Sequence, residues 1–290
     1  MEILIQTTIN GLLIGGLYAA FSMGFALSFG VLDIIDLAVG MWVLLGAYAA
    51  ASFQQYFGID PLVMLPATFV VFGLVGWLLG PLIYRVRTSK YAFPALMALA
   101  FTFGVMTALR GGLLTIFGYT PKAVRPELLE GVWHIMGVSI PIVRVGGFVF
   151  ALVLAGILII FLYRTSLGLA IRAMAQNKES AALVGVNVRR TSTFVFALYV
   201  GMTSVAGVFI GSVYTMAPHL DLRYTLFAFF IVVLAGLGSI MGIIFAGLIL
   251  GLLQSFVTFY VGANYTLMTV FLVLFATLII FPAGLARRKA

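Results

Sequence analysis

Cysteine is absent and charge is scarce: Asp, Glu, Lys and Arg make up 8% of the 290 residues. Without cysteine there is no disulfide, no thiolate nucleophile and no cysteine-held metal. A soluble domain of this size carries charge on about a quarter of its residues, so something other than water must cover this chain. Histidine is nearly missing too. His134 and His219 are far apart in predicted loops, where each reads as a solvated residue rather than a ligand. No HExxH, GxSxG or paired-aspartate pattern occurs. No Gly-Lys dipeptide occurs either, which excludes a phosphate-binding loop and ATP hydrolysis by this chain. The sequence offers no catalytic residues, no metal site and no cofactor site of its own. Its start, Met1-Glu2-Ile3-Leu4-Ile5-Gln6, lacks the basic region and cleavage site of a signal peptide, so the first apolar stretch is expected to stay as a span.

What the chain has is apolar length. Hydrophobic residues make up 63% and the mean hydropathy is +1.22. Runs such as Phe194 to Tyr214 and Tyr265 to Phe281 contain no charge. A membrane-crossing helix needs about 20 such residues, at about 1.5 Å of rise each against a hydrocarbon core of about 30 Å. The pattern predicts spans at 4–29, 37–56, 61–84, 91–117, 145–163, 192–215, 224–237, 240–260 and 265–282. The expected fold is an all-α integral membrane bundle of about 8–9 segments, forming one domain over 1–290. The segment 224–237 is short and is parted from the next by Gly238-Ser239, so at least one broken or re-entrant helix is expected.

The net charge of +8 is a topology signal rather than a nucleic-acid footprint. Arg85, Arg87 and Lys90 lie together, Arg164, Arg172, Lys178, Arg189 and Arg190 follow the fifth span, and Arg287, Arg288 and Lys289 close the chain. These are 11 of the 16 Lys and Arg residues, and the positive-inside rule puts all three groups in the cytoplasm. Counting spans then puts the N-terminus outside, the C-terminus inside and a loop over 118–144 outside.

Five glycine pairs at GxxxG spacing, such as Gly11/Gly15 and Gly247/Gly251, suit close helix packing in lipid. The run Gly236-Leu237-Gly238-Ser239 places glycines at the expected break, where backbone groups could line a pathway. Asp33 and Asp36, between the first two spans, read either as hydrated turn or cap residues at an interface or as intramembrane acids for proton coupling. Arg110 is the one basic residue inside a predicted span. It either snorkels to the interface or lines an outer mouth that attracts a carboxylate. The connection 165–191 is longer and richer in alanine than a bare loop needs, and Gly185 is placed to end a helix with a left-handed cap. Its shallow faces suit the approach of another protein.

That connection resembles the cytoplasmic loop of branched-chain amino acid ABC-transporter permeases, the LivH-type subunit, through Gly168, Arg172, Ala173, Ala175, Ala181 and Gly185-Val186. Leu234-Ala235-Gly236-Leu237-Gly238-Ser239-Ile240-Met241-Gly242 is similar to the family's glycine-rich segment, and Phe281-Pro282-Ala283-Gly284-Leu285 to its ending. The resemblance implies a permease that pairs with a second homologous permease chain, more readily as a heterodimer than a homodimer. Two cytoplasmic ATPases would use ATP and Mg, and an extracytoplasmic binding protein would deliver the solute in a prokaryotic inner membrane. It implies a coupling role for Arg172, Ala173, Gln176, Asn177, Glu179, Ala182 and Gly185. Asp36, Gly40, Arg110, Gly236, Gly238 and Ser239 are the candidates for the translocation pathway. One departure stands out: the family's N-F-A-H-G is Asp36-Leu37-Ala38-Val39-Gly40 here, which opens the solute to urea, amides or aromatic compounds as well as branched-chain amino acids. The rivals are an ion-coupled secondary transporter acting alone through Asp33 or Asp36, and a membrane scaffold without transport.

Overall fold

A computed structural model of the chain describes residues 2–89, 93–135, 137–236 and 239–280. Its long helices are α1 (Glu2–Leu32), α2 (Val39–Phe57), α3 (Leu65–Arg87), α4 (Pro94–Phe117) and α5 (Ile142–Arg164). Two short helices follow, α6 (Ser166–Gln176) and α7 (Lys178–Leu183). The chain continues through α8 (Val188–Val213), α9 (Asp221–Ala235), α10 (Ile240–Tyr260) and α11 (Thr266–Ile280). Each predicted span has its helix. The loop over 118–144, given no structure from the sequence, contains an antiparallel hairpin of β1 (Val132–Ile135) and β2 (Val138–Pro141).

Helices α1 and α8 form the buried axis of the bundle. Glycine sets how closely their neighbours approach. A Cβ on Gly15 would lie 2.6 Å from the Gly247 carbonyl oxygen of α10, and one on Gly11 would lie 2.9 Å from Leu252 Cα. On the other flank, a Cβ on Gly76 of α3 would lie 2.8 Å from Ala197 Cα of α8. Backbones this close gain van der Waals contact that lipid cannot match. By contrast α4, α5 and α11 turn apolar side chains such as Leu96, Ile157 and Phe275 outward, toward where lipid would sit.

The arrangement repeats in inverted form. Helix α1 packs on α10 and α9 as α8 packs on α3 and α2, and α1 and α8 run antiparallel past each other. Both axial helices are followed by a return that is not α-helical, residues 33–38 after α1 and 214–220 after α8, the latter ending in a 3-10 turn at Pro218–Leu220. One end of the bundle, called the basic end, carries Arg85, Arg87, α6 and α7; the hairpin lies at the other. At the hairpin end Gln6 clasps Ser139 through both its amide atoms, at 2.6 and 2.9 Å.

Candidate functional site

The return after α1 begins where Asp33 takes a left-handed backbone conformation (φ 54). Aspartate tolerates that region better than most residues. The chain then climbs back into the bundle. Asp36 Oδ1 accepts the Ala38 N–H at 2.7 Å, a local turn in which the side chain replaces a backbone partner. Its Oδ2 accepts the Tyr199 hydroxyl at 2.9 Å. Tyr199 lies about 17 Å along α8 from its start, at about 1.5 Å per residue. Asp36 is therefore buried near mid-bundle and not at an interface. So α2 starts half-way through the bundle.

Backbone groups freed at this depth need partners inside the protein. Two threonines supply them. Thr102 of α4 accepts the Leu37 N–H, and Thr225 of α9 accepts the Gly40 N–H at 3.0 Å. Thr225 Oγ1 also lies 3.1 Å from the Leu37 carbonyl oxygen. Gly40 is the point of closest approach: a side chain there would collide with the Asp221 carbonyl at the head of α9. Asp221 itself is fully buried and takes a two-pronged ion pair from Arg110, whose side chain is 34% exposed, with contacts of 2.6 to 3.0 Å. The guanidinium is thus held by Asp221 rather than left free.

The two interrupted helices bring Asp36, Gly40 and Arg110 together, and add Asp221, Thr225, Thr102 and Tyr199, which sequence reasoning missed. Asp221 could have been found as the acid that a mid-span arginine requires. Tyr199 and the threonines carried no signal among so many similar residues. Gly236 and Ser239 are elsewhere. Ser239 caps α10 by accepting the Gly242 N–H at 3.0 Å, and the adjoining Ile240 packs near Gly30 toward the basic end. Gly238 lies outside the described residues. The break foreseen there therefore parts two helices near one end, while the mid-bundle breaks fall at 33–38 and 214–220.

At the basic end, Thr165 caps α6 and Asn177 caps α7 through side-chain oxygens. Ile171, Met174 and Ala181 bury one face of the pair. Gly185 (φ +92) closes α7 with bonds from its own N–H to Ala182 and from the Val186 N–H to Ala181, the two bonds of a Schellman cap. Leu183 and Val184 project beyond it, 89% and 79% exposed. Gln176, Asn177, Glu179, Ala182 and Gly185 share that open surface; Ala173 packs partly on the core. Arg172 is half-buried and sets its guanidinium 4.6 Å from the centre of the exposed Tyr163 ring. Lys178 binds the Leu32 carbonyl oxygen at 3.0 Å and Asp33 Oδ2 at 2.6 Å, tying α7 to the segment that leads to Asp36.

The family described as "Branched-chain amino acid transport system / permease component" matches residues 7–281. The chain belongs to this permease family. The permease is 29% identical to the high-affinity branched-chain amino acid transport system permease protein LivH of Escherichia coli (strain K12), over 98% of this chain and 96% of that one. It is 28% identical to BraD of Pseudomonas aeruginosa, a protein of the same description, with the same coverage. The ribose import permease RbsC of Haemophilus influenzae is 25% identical over 88% of this chain and 76% of its own length. No solved structure matches the permease significantly. It is a multi-pass membrane protein, and eight of its segments are helical, long and apolar enough to cross a bilayer among the described residues.

Proposed function

We propose that this permease is the membrane subunit of an ABC importer for branched-chain or related amino acids, moving solute by alternating access. ATP and Mg are used by two cytoplasmic ATPases, a second permease chain completes the pore, most simply as a heterodimer, and an extracytoplasmic binding protein delivers solute. The basic end faces the cytoplasm, with the N-terminus and hairpin outside, in a prokaryotic inner membrane. The observation that carries this reading is the α6–α7 surface. A rigidly capped two-helix projection presents Leu183 and Val184 to solvent at the basic end, and its own Lys178 grips the foot of the interrupted α1–α2 segment. A surface of that kind suits a partner whose movement is to be passed into the bundle. Asp36, Gly40 and Arg110, with Asp221, are assigned to the wall of the pathway. Gly236 closes α9 and Ser239 caps the start of α10.

The test is replacement of the tip, Leu183→Asp with Val184→Asp, in the intact operon. ATPases should then fail to co-purify in mild detergent while the permease stays folded and monodisperse, and uptake should cease. Normal assembly and uptake by the variant would reject the docking role. Purification of the wild-type chain alone, transporting under an ion gradient without ATPases, would establish the secondary-transport rival.

A further inference from the structure

A cavity of about 640 Å³ opens at the hairpin end and descends between α1, α5, α10 and the head of α9 as far as Ile14. Its size falls within the range of small-molecule sites, about 300–1,000 Å³. Two cations line it, Arg144 and Arg223, and neither forms an ion pair among the described residues. Arg144 donates to Asn10 Oδ1 at 2.8 Å, and Arg223 rests 5.5 Å from the centre of the Phe227 ring, so both keep donors for another group. The same wall carries Gln254, which is 4% exposed and whose Oε1 has no hydrogen-bond partner among the described residues. A buried acceptor left unpaired destabilises a protein by about 1–3 kcal/mol, so its retention on a cavity wall points to a donor that arrives with a ligand. Glu2 adds a carboxylate at the rim.

We infer that this cavity is the permease's own solute-receiving site, selective for a zwitterion: Arg144 and Arg223 take the carboxylate, and Gln254 Oε1 takes the ammonium. The inference rests on the importer reading and adds to it a place and a chemistry of recognition. It differs from the Arg110 cluster, where Asp221 already occupies the guanidinium. The aliphatic part of the ligand lies toward Ile14, and the two charged ends reject solutes that lack either one.

The experiment uses the complete permease–ATPase complex in nanodiscs, without binding protein, and titrates each of the twenty common L-amino acids by tritium binding. The best ligand is then competed with its amide, its decarboxylated amine and its deaminated acid. Wild type should prefer the zwitterion over every half-analogue by at least about tenfold, as expected for a charge-assisted hydrogen bond. Arg144→Gln or Arg223→Gln should erase the preference for the acid over the amide. Gln254→Met should weaken binding while Tm holds or rises, because an unpaired buried oxygen is removed. A purely structural glutamine would leave affinity untouched. Unchanged affinity and selectivity in all three variants, or no saturable binding of any amino acid, would overturn the assignment. So would stabilisation by phosphatidylethanolamine that depends on the two arginines while amino acids do not compete, which would make the cavity a headgroup site. Loss of ATP-driven uptake by the wild-type assembly would count instead against the importer reading; intact uptake with unchanged variants counts against the cavity alone.

Discussion

Asp221 and Arg110 show how one buried charge dictates its neighbour. Asp221 has no exposed surface, and removing its one ion-pair partner among the described residues leaves a buried charge unpaired. Breaking a buried pair destabilises by about 3–5 kcal/mol; with Arg110 a third exposed, Arg110→Met should fall near the lower end, about 3 kcal/mol. A clear drop in Tm is the expected reading. The double variant Arg110→Met with Asp221→Leu should recover most of it, since the orphaned charge is gone. Asp36 differs because both its oxygens accept from neutral donors, Ala38 N–H and Tyr199 Oη–H. Asparagine keeps the acceptor for the turn, and the tyrosine hydroxyl can accept from the new amide. Asp36→Asn should therefore leave ATP-driven uptake within about twofold, an energy difference of well under 1 kcal/mol. Loss of uptake with normal assembly would revive proton coupling.

At the scale of elements, glycine has two roles that the sequence alone does not separate. Gly15 faces a carbonyl oxygen of α10, and a Cβ there would stand 2.6 Å from it. Gly104 on α4 has nothing within 4 Å of the same position. Gly15→Leu should part α1 from α10 and abolish folded protein in detergent, measured by monodispersity on size exclusion. Gly104→Ala should be neutral or stabilising by up to about 1 kcal/mol, the helix-propensity difference. The GxxxG spacing marked Gly11/Gly15 and Gly247/Gly251 as packing sites, and they pack on each other. The spans were equally legible, since a run of apolar residues long enough to cross a bilayer leaves few alternatives. The returns at 33–38 and 214–220 were not. Backbone groups of the first are met by its own Asp36 and by Thr102 and Thr225 from elements distant in sequence, and the second pairs Met216 with Lys122.

The whole molecule has an orientation to be tested, and the absence of cysteine makes the test clean. Single substitutions Asn187→Cys, beside α7, and His134→Cys, in the hairpin, introduce the only thiol in each variant. A membrane-impermeant maleimide added to intact cells should label the second and spare the first, and the reverse pattern would invert the topology. Composition by itself determined that this chain lives in a bilayer, which segments are apolar enough to be spans and where the basic residues cluster, because hydropathy and charge act residue by residue against lipid and water. The tertiary structure alone decided that Asp36 sits deep in the bundle, that Arg110 is held by Asp221, and that Arg144, Arg223 and Gln254 share one cavity. Those depend on which side chains meet across gaps of tens to hundreds of residues, and pairwise contact at such separation has no period or composition from which to read it.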